Sequence, residues 1–487
     1  MTLAFDPFSL TLPAGHFIGG QYVESPGEIT VSAPSSGAVL GAIPRADAGL
    51  VDLAVGNARA ALERSGWGGI APRERLRALS RWADLIEAEA ATLARLEAVC
   101  SSRPVAQAAA ADVTVTADQI RFFAEFADKE CDDLVPTSDR QLGMIASQPY
   151  GVIGAITPWN FPISMAGWKL GPALAAGNAV VLKPSEMTPY STLYLAELSV
   201  RAGMPEGLIN IVLGDGPVTG SALVGHAGID KVSFTGSTRA GGQIMENIAR
   251  TGIKPMTLEL GGKSPMVVFA DADLDLAAEC LDRGITPNAG QFCVAGSRII
   301  VAREIADELT ERLVARFAQH QPAATWEDEP GFSPIISEGQ LARIAGIVDA
   351  SIRNGGELVC GGGRFDCEGS FYRPTLIRGV DATNPAVVEE IFGPVATFQT
   401  FDSEEEAMTL ASHSAYGLCA GLFTRDLHRA LRLTRRVEAG TVWVNRYGRS
   451  ADHILPTGGW KASGLGKDLG REAYHANRRT KSVLIDL

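Results

Sequence analysis

A single cysteine has the sequence surroundings of a reactive thiol. Cys293 lies in NAGQFCVAGS (residues 288–297), where small and polar residues replace the apolar neighbours of a typical buried cysteine. Free cysteines are usually buried and inert. Glycine and small side chains let the backbone turn closely around the sulfur. The segment is therefore either a loop that presents a nucleophile or an ordinary glycine-rich turn, and the rest of the chain must decide between them.

Two further segments carry groups that would assist a nucleophilic thiol. Glu259 ends an apolar stretch in LELGGKSP, and desolvation at such a strand end raises the pKa of a carboxyl group towards that of a general base. Asn160 lies between two prolines in TPWNFP, where a rigid turn fixes the amide as a donor to an oxyanion. A solvated strand end for Glu259 and a structural Asn turn for Asn160 remain alternatives at this point.

Other segments indicate a dinucleotide site. Gly236 and Ser237 in FTGSTRAGG stand where a strand passes into a helix, and a helix N-terminus binds phosphate. Lys183 and Glu186 in LKPSE follow a strand, where ligands bind in open α/β sheets and a carboxylate accepts from ribose hydroxyls. A tight turn and a surface ion pair are the ordinary alternatives. Gly216, in GDGPVTG, is weak evidence for such a site, because the spacing of the glycines in this segment differs by one residue from the dinucleotide-binding pattern G-x-G-x-x-G.

Composition excludes several classes of function. The 487 residues correspond to about three domains, and the net charge of −13 argues against nucleic acid or an anionic membrane as the main partner. The seven cysteines contain no C-x-x-C pair, so neither a disulfide framework nor a metal site is expected. The N-terminus lacks a signal peptide and no apolar run approaches a membrane span. These features favour a cytoplasmic location.

The pattern of elements predicts an α/β fold. Helical composition extends from about residue 47 to 99 after short strands and turns. From residue 151, apolar strands such as GVIGAIT and AVVLK alternate with helices such as PISMAGWKLGPALAAG, and a second alternation begins at SPMVVF. Alternation of this kind predicts parallel sheets that helices cover on both faces. We therefore expect two Rossmann-like open-sheet domains, with an extended segment near 127–149 outside their cores.

Seven motifs, in order and over nearly the whole chain, resemble the NAD(P)-dependent aldehyde dehydrogenase superfamily. They are TPWNFP, KPSEMTP, FTGST, LELGGKSP, NAGQFCVAGSR, EEIFGPV and GGWKASG. The resemblance implies oxidation of an aldehyde to a carboxylic acid with NAD, NADP being possible as well. It also implies a cofactor-binding domain (1–126 and 150–261), a catalytic domain (262–470) and a small β oligomerisation element (127–149 and 471–487). A homodimer or homotetramer is the expected assembly.

The resemblance also implies roles for individual residues. Cys293 would be the nucleophile, Glu259 the general base, and Asn160 an oxyanion donor together with the Cys293 N–H. The expected cofactor contacts are Lys183 and Glu186 with the adenosine ribose, Ser237 with the pyrophosphate, Glu390 with the nicotinamide ribose, Phe392 behind the nicotinamide ring, and Trp159, Gly216 and Gly236 along the cleft. A free thiol needs activation, and since no histidine lies in these motifs, a Cys–His hydrolase is disfavoured.

Departures from the family pattern bear on the substrate. Thr457 stands where relatives usually carry Phe, which implies a wider or more polar tunnel, whereas Ser-Ser-Arg-Pro in place of a commoner Gly-Lys-Pro is expected to be neutral. The predicted tunnel residues are apolar Phe161, Trp168, Phe292 and Trp460 inside, with Arg446, Arg449 and His453 near the mouth. Cations there would attract a semialdehyde or other polar-tailed aldehyde. Ordinary aliphatic or aromatic aldehydes, a coenzyme A-acylating enzyme and a non-catalytic relative remain alternatives.

Overall fold

The structure is a computed structural model that describes residues 2–329, 331–449 and 453–487. Its amino-terminal part has short strands followed by helices: β1 (His16–Ile18), β2 (Gln21–Val23), β3 (Glu28–Ser32), β4 (Val39–Pro44), α1 (Ala48–Ser65), α2 (Pro72–Ala88), α3 (Ala90–Cys100), α4 (Val105–Gln107) and α5 (Thr114–Phe126). α1 begins where the Asp47 side chain accepts from the Leu50 N–H at 2.9 Å and ends at left-handed Gly66. The predicted helical region is confirmed.

Strands and helices then alternate, as the sequence predicts. A hairpin comes first and consists of β5 (Asp133–Val135) and β6 (Gln141–Pro149). The first series follows it and comprises β7 (Val152–Ile156), α6 (Pro162–Ala175), β8 (Ala179–Lys183), α7 (Tyr190–Arg201), β9 (Ile209–Ile211), α8 (Ser221–Gly225), β10 (Lys231–Thr235), α9 (Thr238–Thr251) and β11 (Met256–Glu259). The second series comprises β12 (Pro265–Val268), α10 (Leu274–Arg283), β13 (Arg298–Ala302), α11 (Ala306–Phe317), α12 (Glu338–Arg353), β14 (Glu357–Cys360), β15 (Thr375–Arg378), α13 (Pro385–Val388), β16 (Val395–Phe401), α14 (Glu404–Ala411), β17 (Tyr416–Gly417), β18 (Cys419–Phe423), α15 (Leu427–Thr434) and β19 (Thr441–Val444). The final elements are β20 (Trp460–Lys461), β21 (Gly464–Leu465), α16 (Gly470–Ala476) and β22 (Arg478–Asp486).

The first sheet has the strand order β2-β1-β9-β8-β7-β10-β11-β21. Its five central strands are parallel, and β8 and β10 are buried along their whole length, so both faces of the sheet are covered. The carboxyl ends of these strands meet at one edge, which is where open α/β sheets bind ligands. β21, from near the C-terminus, pairs antiparallel with β11 and places Gly464 opposite Glu259.

The second sheet has the order β14-β15-β16-β13-β12-β18-β19, in which β14 pairs antiparallel with β15 and the six strands from β15 to β19 are parallel. Apolar side chains pack on its two faces as separate clusters, one around Leu309 and Leu313 and the other around Ala407 and Leu433. The expected fold, with two open and mainly parallel sheets, is therefore confirmed. The segment that carries Cys293 leads directly into the central strand β13.

A third sheet, β22-β6-β5, is antiparallel and small. β22 pairs with β6 along its full length, from Arg478 opposite Pro149 to Asp486 opposite Gln141. The two segments expected to form the oligomerisation element thus share one sheet, which supports the three-part division of the chain, although its exact boundaries stay a prediction. Within the described ranges, no helix is long and apolar enough to cross a membrane, and no group of His, Cys, Asp and Glu side chains is arranged to hold a metal ion.

Candidate active site

Neighbouring strand ends of the first sheet position residues that the sequence singles out. Lys183 ends β8, Asn160 follows β7, Ser237 follows β10 and Glu259 ends β11. The order β8-β7-β10-β11 brings these four ends side by side at the carboxyl edge of the sheet. Ser237 caps α9, where its hydroxyl accepts from the Ala240 N–H at 3.2 Å. Residues far apart in sequence therefore lie together because parallel strands end at a common edge.

A cleft of about 1070 Å³ is lined by segments associated with both large sheets. It brings together most of the predicted site residues: Trp159, Asn160, Phe161, Trp168, Gly236, Ser237, Glu259, Phe292, Cys293, Glu390 and Phe392. Its volume is at the upper end of the range for small-molecule sites, roughly 300–1,000 Å³. The cleft thus has room for a cofactor and a small substrate at once.

The loop before Cys293 has an unusual backbone. Asn288, Ala289 and Gly290 have φ angles of 49°, 50° and 70°, all in the left-handed region. This conformation strains a residue with a β-carbon, and such strain persists only when the surroundings enforce it. A β-carbon on Gly290 would lie 2.2 Å from the Gly393 carbonyl oxygen. The sequence indicates a close backbone turn here, and the structure shows three successive left-handed residues packed against the segment around Gly393.

The side chain of Gln291 locks this loop. Gln291 is fully buried, and its Nε2 donates to the carbonyls of Asn288 at 2.9 Å and Pro334 at 3.0 Å, while its Oε1 accepts from the Ile336 N–H at 2.9 Å. Its backbone carbonyl accepts from Asn160 Nδ2 at 2.9 Å. Asn288 Nδ2 in turn donates to the Asn160 carbonyl at 2.9 Å. The cysteine loop and the Asn160 turn are therefore tied together by buried hydrogen bonds, which are costly to break.

The Asn160 amide and the Cys293 thiol both line the cleft. The Asn160 amide nitrogen has two hydrogens, and its bond to Gln291 leaves the second one available at the cleft. Burial raises the pKa of the Cys293 thiol to about 11; the Arg449 guanidinium opposes this shift, whereas Glu259 and Glu390 add to it. In this structure the thiol is thus protonated at neutral pH, and its reaction requires a base or an added positive charge.

Glu259 has the electrostatic properties of a general base near neutrality. Burial raises the pKa of its carboxyl group to about 8, Asp468 adds to the shift, and Lys169 and Arg449 oppose it. Lys169 and Asp468 form a buried ion pair 2.5 Å long. Since the ionised fraction of Glu259 increases as pH passes through this pKa, its capacity to take a proton rises between about pH 7 and 9.

Glu390 and Phe392 lie on a loop that α12 clamps. Arg343 donates to the carbonyls of Glu390 at 2.7 Å and Ile391 at 2.8 Å, and Gln340 donates to that of Phe392 at 3.0 Å. Phe392 has a φ of 55° and meets the Trp159 ring edge-on at 5.2 Å. Burial raises the pKa of Glu390 to about 6, so it is ionised at neutral pH. The clamp presents an anionic acceptor and an aromatic ring to the cleft.

Three predicted cofactor residues lie outside the cleft that surrounds Cys293. Lys183 is buried, and its Nζ lies 3.0 Å from the Pro184 carbonyl and 3.4 Å from Glu186 Oε2. Gly216 begins the short helical segment Gly216–Gly220, and a β-carbon on Gly220 would lie 3.8 Å from the Lys183 side chain. These residues form a second group further along the sheet edge, at the ends of β8 and β9.

Apolar and aromatic side chains also line the cleft, namely Phe161, Met165, Trp168, Phe292 and Tyr447. Arg103, from the Ser-Ser-Arg-Pro segment, stacks over the Phe161 ring at 4.7 Å. It is buried and bonds bidentately to Asp112 at 2.7 and 3.2 Å. Arg103 thus contacts a residue of the cleft wall, and the neutrality of this departure from the family pattern stays a prediction.

Thr457 does not line the cleft as predicted. Its backbone exchanges two hydrogen bonds with Asp468, of 2.7 and 2.9 Å, and only 1% of the residue is exposed. Its hydroxyl accepts from Arg449 Nη2 at 2.6 Å. Arg449 itself lines the cleft beside Trp168, with its guanidinium carbon 4.7 Å from that ring. Thr457 thus contacts a cleft residue without lining the cleft itself, and its effect on the width of the tunnel stays a prediction.

Arg446, His453 and Trp460 also lie outside the cleft. Arg446 is exposed beyond the end of β19, and the His453 ring lies 6.2 Å from that of Phe122. Trp460 is 50% exposed because β20 pairs with β17 at the surface. The predicted lining by Arg446 and Trp460 is therefore wrong: the turn after β19 directs Arg449 towards the cleft instead.

The sequence analysis missed Lys169 and Asp468, which adjust the charge near Glu259. A signal for Lys169 was present, since a lysine within the apolar helix PISMAGWKLGPALAAG must be buried and paired. Asp468 gave no such signal because it follows a glycine-rich loop. The clamp residues Gln340 and Arg343 were likewise invisible, since they bond to main-chain carbonyls far away in sequence.

Comparisons with known proteins agree with this geometry. The sequence model of the aldehyde dehydrogenase family matches residues 22–483. Retinaldehyde dehydrogenase 3 of Homo sapiens is 41% identical over 439 residues, which cover 90% of this chain and 85% of that protein. Gamma-glutamyl-gamma-aminobutyraldehyde dehydrogenase from Burkholderia cenocepacia superposes with a TM-score of 0.97 at 38% identity, over 100% of both chains. An NAD+ complex of aldehyde dehydrogenase from Bacillus cereus superposes with a TM-score of 0.96 at 37% identity, again over 100% of both.

The strained loop yields a stability prediction. Gly290→Ala places a methyl group against the Gly393 carbonyl and forces alanine to a φ of 70°, for which the backbone strain alone costs roughly 1–3 kcal/mol. We expect a lower Tm in thermal unfolding and slower alkylation of Cys293. Gly242→Ala is the matched control, because a β-carbon there meets nothing within 4 Å. Equal Tm values for the two variants would contradict the packing described for the loop.

Proposed function

Because this chain belongs to the aldehyde dehydrogenase family and oxidises an aldehyde to a carboxylic acid with NAD, we propose that Cys293 is its nucleophile, Glu259 its general base and Asn160 its oxyanion donor. The observation that carries this proposal is the single cleft that all three line. Its loop is locked in place by Gln291, and a fixed constellation of this kind is what covalent catalysis requires.

The residues along the sheet edge fit NAD. α9 is a helix of 14 residues, and its N-terminus at Ser237 offers backbone N–H groups to the pyrophosphate. Glu186 and Glu390 are carboxylates suited to the vicinal hydroxyls of the two riboses, with Lys183 beside the first. Trp159 and Gly236 line the cleft together with Ser237 and Glu390. When bound, NAD supplies the acceptor for the hydride that the reaction releases.

The protein's own groups supply the remaining steps. The Cys293 thiol releases its proton to solvent, and the thiolate attacks the aldehyde carbon to form a tetrahedral thiohemiacetal anion. Asn160 Nδ2 and the Cys293 N–H donate to its oxyanion, and such donors are strongest in a cleft that excludes water. Loss of hydride leaves a thioester on Cys293. Glu259 then takes a proton from water, which attacks the thioester, releases the acid and restores the thiol.

Two classes of substrate follow from the sequence, and the charges of the cleft favour one of them. Aromatic side chains at Phe161, Trp168 and Phe292 suit an apolar body, as in ordinary aliphatic or aromatic aldehydes. Two arginines, Arg283 and Arg449, also line this cleft in a protein of net charge −13. Cations at a substrate cleft attract and orient an anionic group. The proposed substrate is therefore a semialdehyde or another aldehyde with a polar far end.

A coenzyme A-acylating enzyme is the second candidate, because it would form the same thioester on Cys293. Glu259 beside the thiol favours hydrolysis by water, since its raised pKa equips it as a base. Formation of NADH from an aldehyde without added coenzyme A separates the two reactions. Turnover that depends on coenzyme A would favour the acylating enzyme.

Self-association is a further part of the proposal. The three-stranded sheet ends in β22, a nine-residue strand whose side chains are mostly exposed. Leu484 is 63% and Ile485 42% exposed on it. Long exposed edge strands that carry apolar residues readily pair with another chain. A homodimer or homotetramer built through this element is therefore proposed. A cytoplasmic location is inferred separately, from seven cysteines that include no C-x-x-C pair.

Replacement of the proposed base gives a prediction with a pH signature. Glu259→Gln should lower the steady-state rate by about 10²- to 10⁴-fold, the usual contribution of a general base, while a rapid initial burst of NADH remains. In the wild type the steady-state rate should rise as pH passes through the Glu259 pKa of about 8, because the ionised form is the base. Stopped-flow absorbance of NADH across this pH range measures both effects.

Cys293→Ala is the control for that experiment and should show neither burst nor turnover. A Glu259→Gln enzyme that keeps the wild-type rate and pH profile would remove Glu259 from the mechanism.

The cofactor preference gives an independent prediction. Glu186 is only partly buried beside Lys183, and its charge would repel a 2′-phosphate, so kcat/KM with NAD should exceed that with NADP. Glu186→Gln should reduce the ratio by about tenfold, a change of roughly 1.4 kcal/mol in discrimination. Glu246→Gln, which alters an exposed ion pair on α9, serves as the control. A wild-type enzyme that prefers NADP would refute this role for Glu186.

A further inference from the structure

Arg449 is an exposed cation that lines the cleft. Its Nη2 donates to the Thr457 hydroxyl at 2.6 Å, and its guanidinium carbon lies 4.7 Å above the Trp168 ring. A hydroxyl and an aromatic face orient a guanidinium and leave its charge intact. In the described part of the chain these are its side-chain partners, and neither is a carboxylate. Among the described residues, the remaining N–H donors have no hydrogen-bond partner, so they can bind a ligand.

Arg449 is also close enough to the reacting groups to share a substrate with them. It lines the same cleft as Cys293, and among the charged groups it has the largest effect on the pKa of that thiol. The aromatic residues Phe161, Trp168 and Phe292 line the same cleft. An aldehyde bound at Cys293 and extended along these rings would bring its far end to the guanidinium.

The hydroxyl at position 457 is the partner that makes this arrangement possible. The aromatic residue usual at this position in the family has no oxygen to accept the Arg449 hydrogen bond. Thr457 is itself held by two backbone hydrogen bonds to Asp468, so its hydroxyl is a fixed acceptor. Thr457, which replaces the usual aromatic residue, and Arg449 are thus the acceptor and the donor of one hydrogen bond.

The other arginines nearby are less suited to this role. Arg283 also lines the cleft, but its Nη1 lies 3.6 Å from Glu279 Oε1 on the exposed face of α10. Arg446 lies outside the cleft. Arg446 therefore serves as the matched control of the same residue type.

We propose that Arg449, positioned by Thr457 and Trp168, binds the anionic far end of the substrate and makes this enzyme selective for aldehydes that carry a carboxylate. This inference rests on the proposed oxidation of an aldehyde at Cys293 and adds the residue that selects the substrate. A guanidinium binds a carboxylate through charge-assisted, often bidentate hydrogen bonds. Thr457 is a positioning residue, since it acts through Arg449.

The first test compares kcat/KM for succinic and glutaric semialdehydes with that for their methyl esters, which differ only in the charge of the far end. The wild type should prefer the acids. Arg449→Met should lower the ratio of kcat/KM for the acids to that for the esters by about 10- to 100-fold, as expected for loss of a hydrogen bond to a charged group. Thr457→Val should give a smaller loss in the same direction, and Thr457→Ser, which keeps the hydroxyl, should restore the preference.

Several outcomes would overturn the proposal. The wild type could prefer the esters. Arg449→Met could slow acids and esters equally, which would mean that the arginine acts on the reacting centre. Arg283→Met or Arg446→Met could abolish the preference instead.

A second test needs neither NAD nor turnover, and so separates this proposal from the proposed function. Iodoacetamide alkylates Cys293, and the fraction modified is measured by peptide mass spectrometry. Succinate should protect the wild-type thiol at a concentration at least about tenfold lower than the uncharged succinamide does, and Arg449→Met should remove that advantage. Equal protection by the two compounds in the wild type would overturn the proposal even if the enzyme oxidises aldehydes. Selective protection by succinate in a chain that oxidises no aldehyde would uphold the anion site and refute the function.

Discussion

The hydrogen bonds of the buried Gln291 side chain are the constraint on which the site depends. They hold a loop of left-handed residues against Pro334 and Ile336, and the Gln291 carbonyl fixes the Asn160 amide. Asn160 follows a strand of the first sheet and Cys293 precedes a strand of the second. Since the amide is fully buried, each broken bond leaves an unsatisfied polar group, which costs about 1–3 kcal/mol. The geometry of nucleophile and donor is therefore set before any ligand binds.

Charge distribution complements this rigidity. Burial raises the pKa values of both Cys293 and Glu259, so the two groups tend to remain neutral in the free cleft. Two neutral groups avoid the cost of two adjacent buried anions. The buried pair of Lys169 and Asp468 lies close enough to Glu259 to act on its pKa in opposite directions. Cys293 and Glu259 thus stay protonated until an aldehyde and a cofactor bind. This suits a reaction in which the thiol and a water molecule are deprotonated in turn.

The sequence predicted the residues whose chemistry is local and missed those whose role depends on distant contacts. Cys293, Glu259 and Asn160 lie in segments whose glycines, prolines and apolar strands already indicate a turn or a strand end. The exposure of Trp460 depends on its pairing with β17, about forty residues away, and a tryptophan in a glycine-rich loop looks equally suited to a pocket. Thr457 was expected to line the tunnel, whereas it lies behind the cleft and accepts a hydrogen bond from Arg449. Sequence spacing predicts which strand ends meet, but not which way a side chain in a long loop turns.

The central claim is that aldehyde oxidation proceeds through a thioester on Cys293 that Glu259 resolves. The most direct measurement is peptide mass spectrometry of Glu259→Gln enzyme mixed with NAD and a semialdehyde and quenched in acid within the first turnover. We predict one acyl group per chain, located on the peptide that contains Cys293, in an amount equal to the NADH formed. NADH formed without any acyl group on Cys293, or an acyl group on another cysteine, would contradict the account.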